Sequence, residues 1–333
     1  MLPNAARSLL PALAVGLALL GIAGGGEAAR AQPRVVASIK PLHALVAGVM
    51  AGVGQPALLV RGATSPHAYS LRPSDARLLN EAQVVFWVGE ALETFLKRPL
   101  ERLGPEARIV PLIEAEGVTL LPTREGGAWE AEAHAEPERR EPGGGHDDPP
   151  ARHGHGPGST DEVNAHIWLA PANARAIVQA IVRTLSAADP AQAGRYRANG
   201  EALQRRIDAL DAALRTRLAP VAARPYVVFH DAYAYLEEAY GLRAVGAITV
   251  SPERPPGARR VSELRQRLRE LGAVCVFAEP QFQPRLVETL VEGTGARTGT
   301  LDPLGADLPA GPEQYFQLME RLADALVACL GPS

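Results

Sequence analysis

The chain has 333 residues, 47% of them hydrophobic and 21% charged, with a formal net charge of -3. That length supports two domains with a well-buried core, and the composition excludes a fibre or a wholly disordered chain. No basic excess exists to attract nucleic acid or anionic lipid, so small ligands are the expected partners and nucleic acid is not.

At the N-terminus Arg7 precedes the apolar run Leu9 to Ala23, too short for comfortable membrane spanning, and Ala29, Arg30 and Ala31 give the small-residue pattern a signal peptidase reads. Residues 1–31 are therefore expected to be a signal peptide, with an uncleaved anchor as the alternative, and the mature chain is expected in a periplasm or similar exported space. No cysteine lies near the cleavage point, which argues against a lipid anchor. The two cysteines, Cys275 and Cys329, read as a disulfide in such a compartment, against the alternative of two unpaired buried thiols.

From residue 32 the chain alternates short β-branched runs with helical patterns, the signature of parallel strands joined by crossover helices. Strands are expected at Arg34 to Ile39, Pro56 to Val60, Gln83 to Val88 and Arg108 to Leu112. Helices are expected between them at Pro41 to Met50, from Pro73, and at Leu92 to Leu103; His43 falls in the first and reads as structural. After residue 163, Asn173 to Ser186 is helical in pattern. Asp189 and Pro190 then open a second helix whose apolar positions Tyr196, Leu203, Ile207, Leu210 and Leu214 recur at helical spacing. About thirty residues of helix would span about 45 Å, more than one small lobe needs, so this element is expected to link two lobes.

The second half repeats the alternation. Strands are expected at Tyr226 to Phe229, Arg243 to Val250, Val274 to Ala278 and Arg297 to Leu301, and helices at Asp231 to Tyr240, Val261 to Leu271, Pro284 to Val291 and Pro312 to Leu330. The expected organisation is an N-terminal α/β lobe over 32–188, a linking helix over 189–219 and a C-terminal α/β lobe over 220–333. Each lobe should hold a mainly parallel sheet flanked by helices. His67, His230, Glu279 and Asp302 end strands or sit in the loops just after them, where open α/β sheets bind ligands.

Between the halves, residues 123–163 form an acidic segment rich in Gly and Pro that carries His134, His146, His153 and His155 beside Asp147 and Asp148. Such a composition cannot offset its ordering entropy by burial, so these imidazoles should be solvated and free to meet metal ions as accessory collectors, against the alternative of a tolerated hydrophilic insertion with no role. His166 differs, because it opens the apolar run H-I-W-L-A-P and should be held at the edge of a folded element. Imidazole is a good zinc ligand, and three histidines with a carboxylate or water complete a tetrahedral site. His67, His166 and His230 share no short metal-binding spacing, yet each interrupts or ends an apolar segment and is followed closely by Tyr69, Trp168 or Tyr233. Three imidazoles favour zinc over manganese, which prefers more oxygen. Because ligands must be deprotonated, affinity is expected to fall below the ~6.5 reference value of histidine.

Five segments carry a family resemblance: S-P-H-A-Y-S-L-R-P-S-D from Ser65, A-H-I-W-L-A-P from Ala165, V-F-H-D-A-Y-A-Y from Val228, C-V-F-A-E-P-Q-F from Cys275 and G-T-L-D-P-L-G from Gly299. Together, and in this order over essentially the whole mature chain, they resemble the periplasmic high-affinity zinc-binding proteins that feed zinc ABC importers. The resemblance implies two α/β lobes joined by one long rigid helix, with zinc(II) held in the interlobe cleft by His67, His166 and His230. It implies Asp302 as a fourth ligand, Cys275 and Cys329 as a bridged pair, a membrane permease as partner, a monomer, and no enzymatic activity. The histidine-rich acidic loop is a hallmark of the zinc branch. One position departs: some zinc members carry a glutamate just before the first histidine, where this chain has Pro66. The fourth ligand is therefore left between Asp302, water and Glu279, in that order, with Glu279 read mainly as orienting a histidine ring.

The other readings are a binder of manganese or iron, an adhesin of the same architecture, and a zinc hydrolase using Glu279 as its base. A hydrolase has little support, since the chain lacks H-E-x-x-H, G-x-S-x-G and a phosphate-cradling glycine loop.

Overall fold

The computed structural model describes residues 32–124, 129, 163–249, 258–282 and 285–332. The expected signal peptide and the loop residues His134, His146, His153 and His155 lie outside the described residues. Among the described residues no helix is long and apolar enough to cross a membrane.

The first lobe runs β1 (Val35–Ala37), α1 (Lys40–Val49), β2 (Ala57–Leu58), α2 (Pro73–Glu81), β3 (Val84–Trp87), α3 (Lys97–Glu101) and β4 (Arg108–Pro111). Its four strands pair in parallel in the order β2-β1-β3-β4, with Val36 opposite Ala57 and Val85 opposite Ile109. Two long helices follow, α4 (Pro171–Ala188) and α5 (Ala193–Leu218). The second lobe runs β5 (Pro225–Val228), α6 (Ala234–Tyr240), β6 (Arg243–Ala247), α7 (Ala258–Glu270), β7 (Cys275–Ala278), α8 (Arg285–Val291), β8 (Arg297–Thr300) and α9 (Gln314–Leu330). Its sheet is again parallel, in the order β6-β5-β7-β8. The fold class read from the alternation is thus the one observed.

Period-two alternation with both faces covered explains why the central strands β1, β3, β5 and β7 are apolar throughout. Val84 and Phe86 of β3 face the main core, while Val85 and Trp87 face a smaller cluster under α2 and α3. In the second lobe, Tyr226 and Val228 of β5 face the main core, and Val227 packs beneath α7 and α8. Sheets covered on both faces need such runs. The main core passes without interruption from β1 and β3 through α4, α5 and α9 to β5 and β7.

The linking helix shows how the two lobes are held. Tyr196, Leu203, Ile207, Leu210, Leu214 and Leu218 of α5 are all buried, each contributing on the order of 1.5–3 kcal/mol by leaving water. At 26 residues α5 spans about 39 Å, shorter than the sequence pattern suggested, because a 3-10 turn at Pro190–Gln192 precedes it. Gly200 lets α5 approach α4 closely: a Cβ there would lie 2.4 Å from Val182.

Two helices are shorter than their patterns predict. Pro99 is tolerated only in a first turn, so the expected helix from Leu92 becomes a 3-10 turn at Thr94–Leu96 followed by five residues of α3. The helix expected from Asp231 starts at Ala234, because the chain turns through His230 to Tyr233 first; it ends as expected at Gly241, whose φ of 64° is left-handed. His43 is buried, and its Nε2 lies 3.1 Å from the Pro56 carbonyl, in keeping with a structural role.

Candidate metal centre

His67 sits on a 3-10 turn, Pro66–Ala68, just after β2. Pro66 presets the backbone, and Ser65 Oγ accepts from the His67 amide at 3.3 Å. Two residues on, the Tyr69 hydroxyl donates to Asp75 at 2.7 Å, and the same carboxylate accepts from the Arg72 amide at the start of α2. The motif from Ser65 to Asp75 is therefore one bonded unit, which fixes the turn that presents His67. His166 opens a 3-10 turn anchored by Ile167, Trp168 and Leu169, all fully buried. His230 follows β5 at its carboxyl end.

These three imidazoles, far apart in sequence, converge. One ligand atom from each lies within 4.8 Å of the others, and the ring centroids are 5.1 to 5.8 Å apart. His166 and His230 are buried, His67 half-buried, and the buried His67 Nε2 has no hydrogen-bond partner.

Hydrogen bonding orients the rings of His166 and His230. The His166 backbone amide can only donate, and it donates at 3.1 Å to the side-chain atom of Asn164 that also lies 3.0 Å from His166 Nδ1. That atom is the amide oxygen, so Nδ1 carries the proton and Nε2 keeps its lone pair. Glu279 Oε1 accepts from His230 Nδ1 at 2.7 Å, which assigns the same tautomer to His230. The two Nε2 atoms then face each other at 3.2 Å. Two nitrogens bound at ~2.0–2.1 Å to one tetrahedral cation stand about 3.3 Å apart, so this geometry fits a zinc-sized ion.

Electrostatics keep His67 and His166 neutral. Burial, helped by the neighbouring His230, pushes His67 down to about 3, and burial with both neighbouring imidazoles holds His166 well below the usual histidine value. The phenol of Tyr233 is pushed well above its ordinary value by burial and then by the Glu279 charge, so it remains a donor beside that carboxylate. Free space between the rings is about 10 Å³, enough for an ion or a water and far too small for an organic substrate.

Asp302, the first-choice fourth ligand, is not part of the group. Its Oδ1 accepts from the Gln281 amide at 2.8 Å and from the Leu304 backbone at 3.0 Å, and its Oδ2 accepts from the Ala306 backbone. The carboxylate caps its own turn and lines a separate cleft of about 660 Å³. Glu279 is 2% exposed and touches His230 from behind, where an orienting carboxylate would stand. Cys275 and Cys329 form a disulfide with Cα atoms 6.1 Å apart.

Sequence reasoning missed three residues. Asn164 fixes His166 and also donates to the Asp231 carbonyl at 2.6 Å, joining the two lobes; an amide side chain two residues before a functional histidine was its only signal. Arg124, at the root of the loop, pairs with Asp231 and Glu237 and lies 3.6 Å from the Trp129 ring. Lys40 reaches from the first lobe to the second. Nothing local marks either basic residue.

Two parallel α/β lobes on a shared core, with three converging imidazoles between them, two of them held at Nδ1, define a two-lobe metal-binding architecture. Comparison with known proteins narrows this. The model of a family described as zinc-uptake complex component A, periplasmic, matches residues 35–329. The high-affinity zinc uptake system protein ZnuA of Brucella abortus (strain 2308) is 45% identical over 314 residues, covering 92% of this chain and 94% of that protein. A crystal structure of ZnuA superimposes with a TM-score of 0.68 at 23% identity, covering 89% of this chain and 100% of that one. The manganese-bound FpvC of Pseudomonas aeruginosa matches at 0.71 and 22% identity, covering 90% and 98%; the shared fold alone does not select the metal. The chain belongs to the family of periplasmic zinc-uptake complex component A, a family of solute-binding transport proteins.

Proposed function

We propose that this protein captures one zinc(II) ion in the periplasm on His67, His166 and His230, with water in the fourth position, and delivers it to the membrane permease of an ABC importer. The observation that carries the reading is the convergence of three imidazoles, one ligand nitrogen of each within 4.8 Å of the others, with the Nε2 atoms of His166 and His230 3.2 Å apart and their Nδ1 atoms against Asn164 and Glu279. Water is the fourth ligand because Pro66 offers none and the Asp302 carboxylate is held by its own turn. Three imidazoles suit zinc better than manganese. Glu279 holds the His230 ring. Residues 1–31 act as a cleaved signal peptide, and the disulfide suits the oxidising compartment they lead to. His134, His146, His153 and His155 collect ions weakly for the centre. The chain works as a monomer.

Metal content and competitive zinc titration of residues 32–333 test this beside a triple substitution of His67, His166 and His230 by alanine. One tight equivalent in the parent, absent from the triple variant, is the expected result. Tight binding that survives the triple substitution overturns the assignment.

A further inference from the structure

Lys40 is the first residue of α1, yet its ammonium ends in the other lobe. The residue is 9% exposed. Its Nζ donates to three backbone carbonyls there, of Gly305 at 3.4 Å, of Leu308 at 2.9 Å, and of Ala306 between them. All three belong to the turn that Asp302 opens. Asp302 grips the same turn from inside through the Leu304 and Ala306 amides. The peptide unit joining Gly305 to Ala306 is thus held at both ends, its carbonyl by Lys40 and its N–H by Asp302. Trp168 Nε1 donates to the Pro303 carbonyl at 2.9 Å, and Gln314 of α9 donates to the Leu304 carbonyl at 2.7 Å. Gly305 passes through the turn at φ 62°, and a Cβ there would lie 2.7 Å from Gln314 Nε2.

This turn decides the ligand set. Pro303 and Leu304 line the imidazole pocket, whereas Asp302, one residue earlier, lines the neighbouring cleft. For the carboxylate to enter the pocket, the Gly305 to Ala306 peptide must let go of it, and that peptide is clamped from the first lobe. Manganese(II) favours carboxylate and water oxygen, while imidazole suits zinc. We propose that Lys40 determines metal specificity: by clamping the turn it withholds Asp302 and keeps the centre at three imidazoles and one exchangeable position. This rests on the zinc assignment made above.

The test is zinc against manganese competition on residues 32–333, together with the visible spectrum of the cobalt(II)-loaded protein, for wild type, Lys40→Met, Lys40→Arg, Asp302→Asn and the Lys40→Met/Asp302→Asn pair. In Lys40→Met the ratio of manganese to zinc affinity should rise about tenfold and the intense four-coordinate cobalt bands should weaken as a carboxylate enters. Lys40→Arg, which keeps donors for the carbonyls, should stay near wild type, and the double variant should return to it. An unchanged ratio in Lys40→Met, or a change that persists in the double variant, overturns the proposal. Should Lys40→Met not fold, Asp302→Asn decides: unchanged zinc affinity and cobalt spectrum support a withheld carboxylate, and loss of either overturns it. A wild type without a tight zinc site would instead fell the zinc assignment and this proposal together.

Discussion

His166 Nε2 and His230 Nε2 face each other at 3.2 Å, with the Asn164 amide oxygen and the Glu279 carboxylate held against the Nδ1 atoms of the two rings. One imidazole comes from the entry to α4 and the other from the end of β5, so the two lobes meet at this pair of rings. The lobes share one apolar core and several bonds across the seam, among them Trp168 to Pro303 and Tyr315 to Trp168. The centre is preformed.

Proton competition at this centre should set in at lower pH than free histidine suggests. Burial holds His67 near 3 and His166 well below its usual value, so both stay neutral through the mildly acidic range. Protonation of these two rings should cost zinc affinity less than about threefold between about pH 7.5 and 5.5, a shallower decline than three free imidazoles at ~6.5 would give. The same shifts act on the metal-free fold. A histidine depressed on folding binds fewer protons folded than unfolded, so stability is lost as pH falls from about 6.5 towards His67's folded value. Competitive titration in stepped buffers checks the first statement; a steep affinity loss already at about pH 6.5 would refute it.

Glu279→Gln should weaken zinc binding about ten- to hundredfold. The amide can still accept from His230 Nδ1, but without the charge that raises the ring's basicity. The 2.7 Å contact and the burial of Glu279 mean that no water can take over. Chelator competition reads the effect directly, and an unchanged dissociation constant would remove Glu279 from the centre.

Glu93 should impose the opposite pH slope on stability from the histidines. It is fully buried between the ends of β1 and β3, accepting from the Ser38 hydroxyl and the Val88 and Gly89 amides. Burial pushes it up to about 7 against those hydrogen bonds. A carboxyl raised on folding contributes fully below its unfolded value of ~4.5, and that contribution is lost as pH rises through about 7, up to about 3 kcal/mol in all. Urea unfolding of wild type and Glu93→Gln across this range should give curves that diverge by that amount. Parallel curves would show that Glu93 does not titrate.

The disulfide should stabilise the second lobe without touching the centre. Cys275 opens β7 and Cys329 lies in α9, 54 residues apart, enclosing α8 and β8. Replacing both by serine should cost about 4 kcal/mol in the chain-entropy account and leave zinc stoichiometry unaltered. Urea midpoints and metal content of the double variant test both halves of the statement.

Much of this protein was legible from residues alone. Apolar runs of alternating type specified the parallel strands, helical spacing specified α5, and His67, His166 and His230 stood out as polar breaks in apolar segments. Such features depend on neighbours a few positions away, where backbone geometry and side-chain periodicity act. Pro99 is also local, and its shortening of α3 could have been read in advance.

The ligand set was not local. Asp302 reads in sequence as a free carboxylate after a strand, whereas in the fold it accepts from amides of its own turn, whose carbonyls Lys40 holds from the other lobe. Asn164 and Glu279 choose the tautomers of histidines on different elements. Sequence alone determined which side chains were available for a metal; only the folding of two lobes onto one core decided which of them meet, because coordination depends on a few tenths of an ångström between groups far apart along the chain.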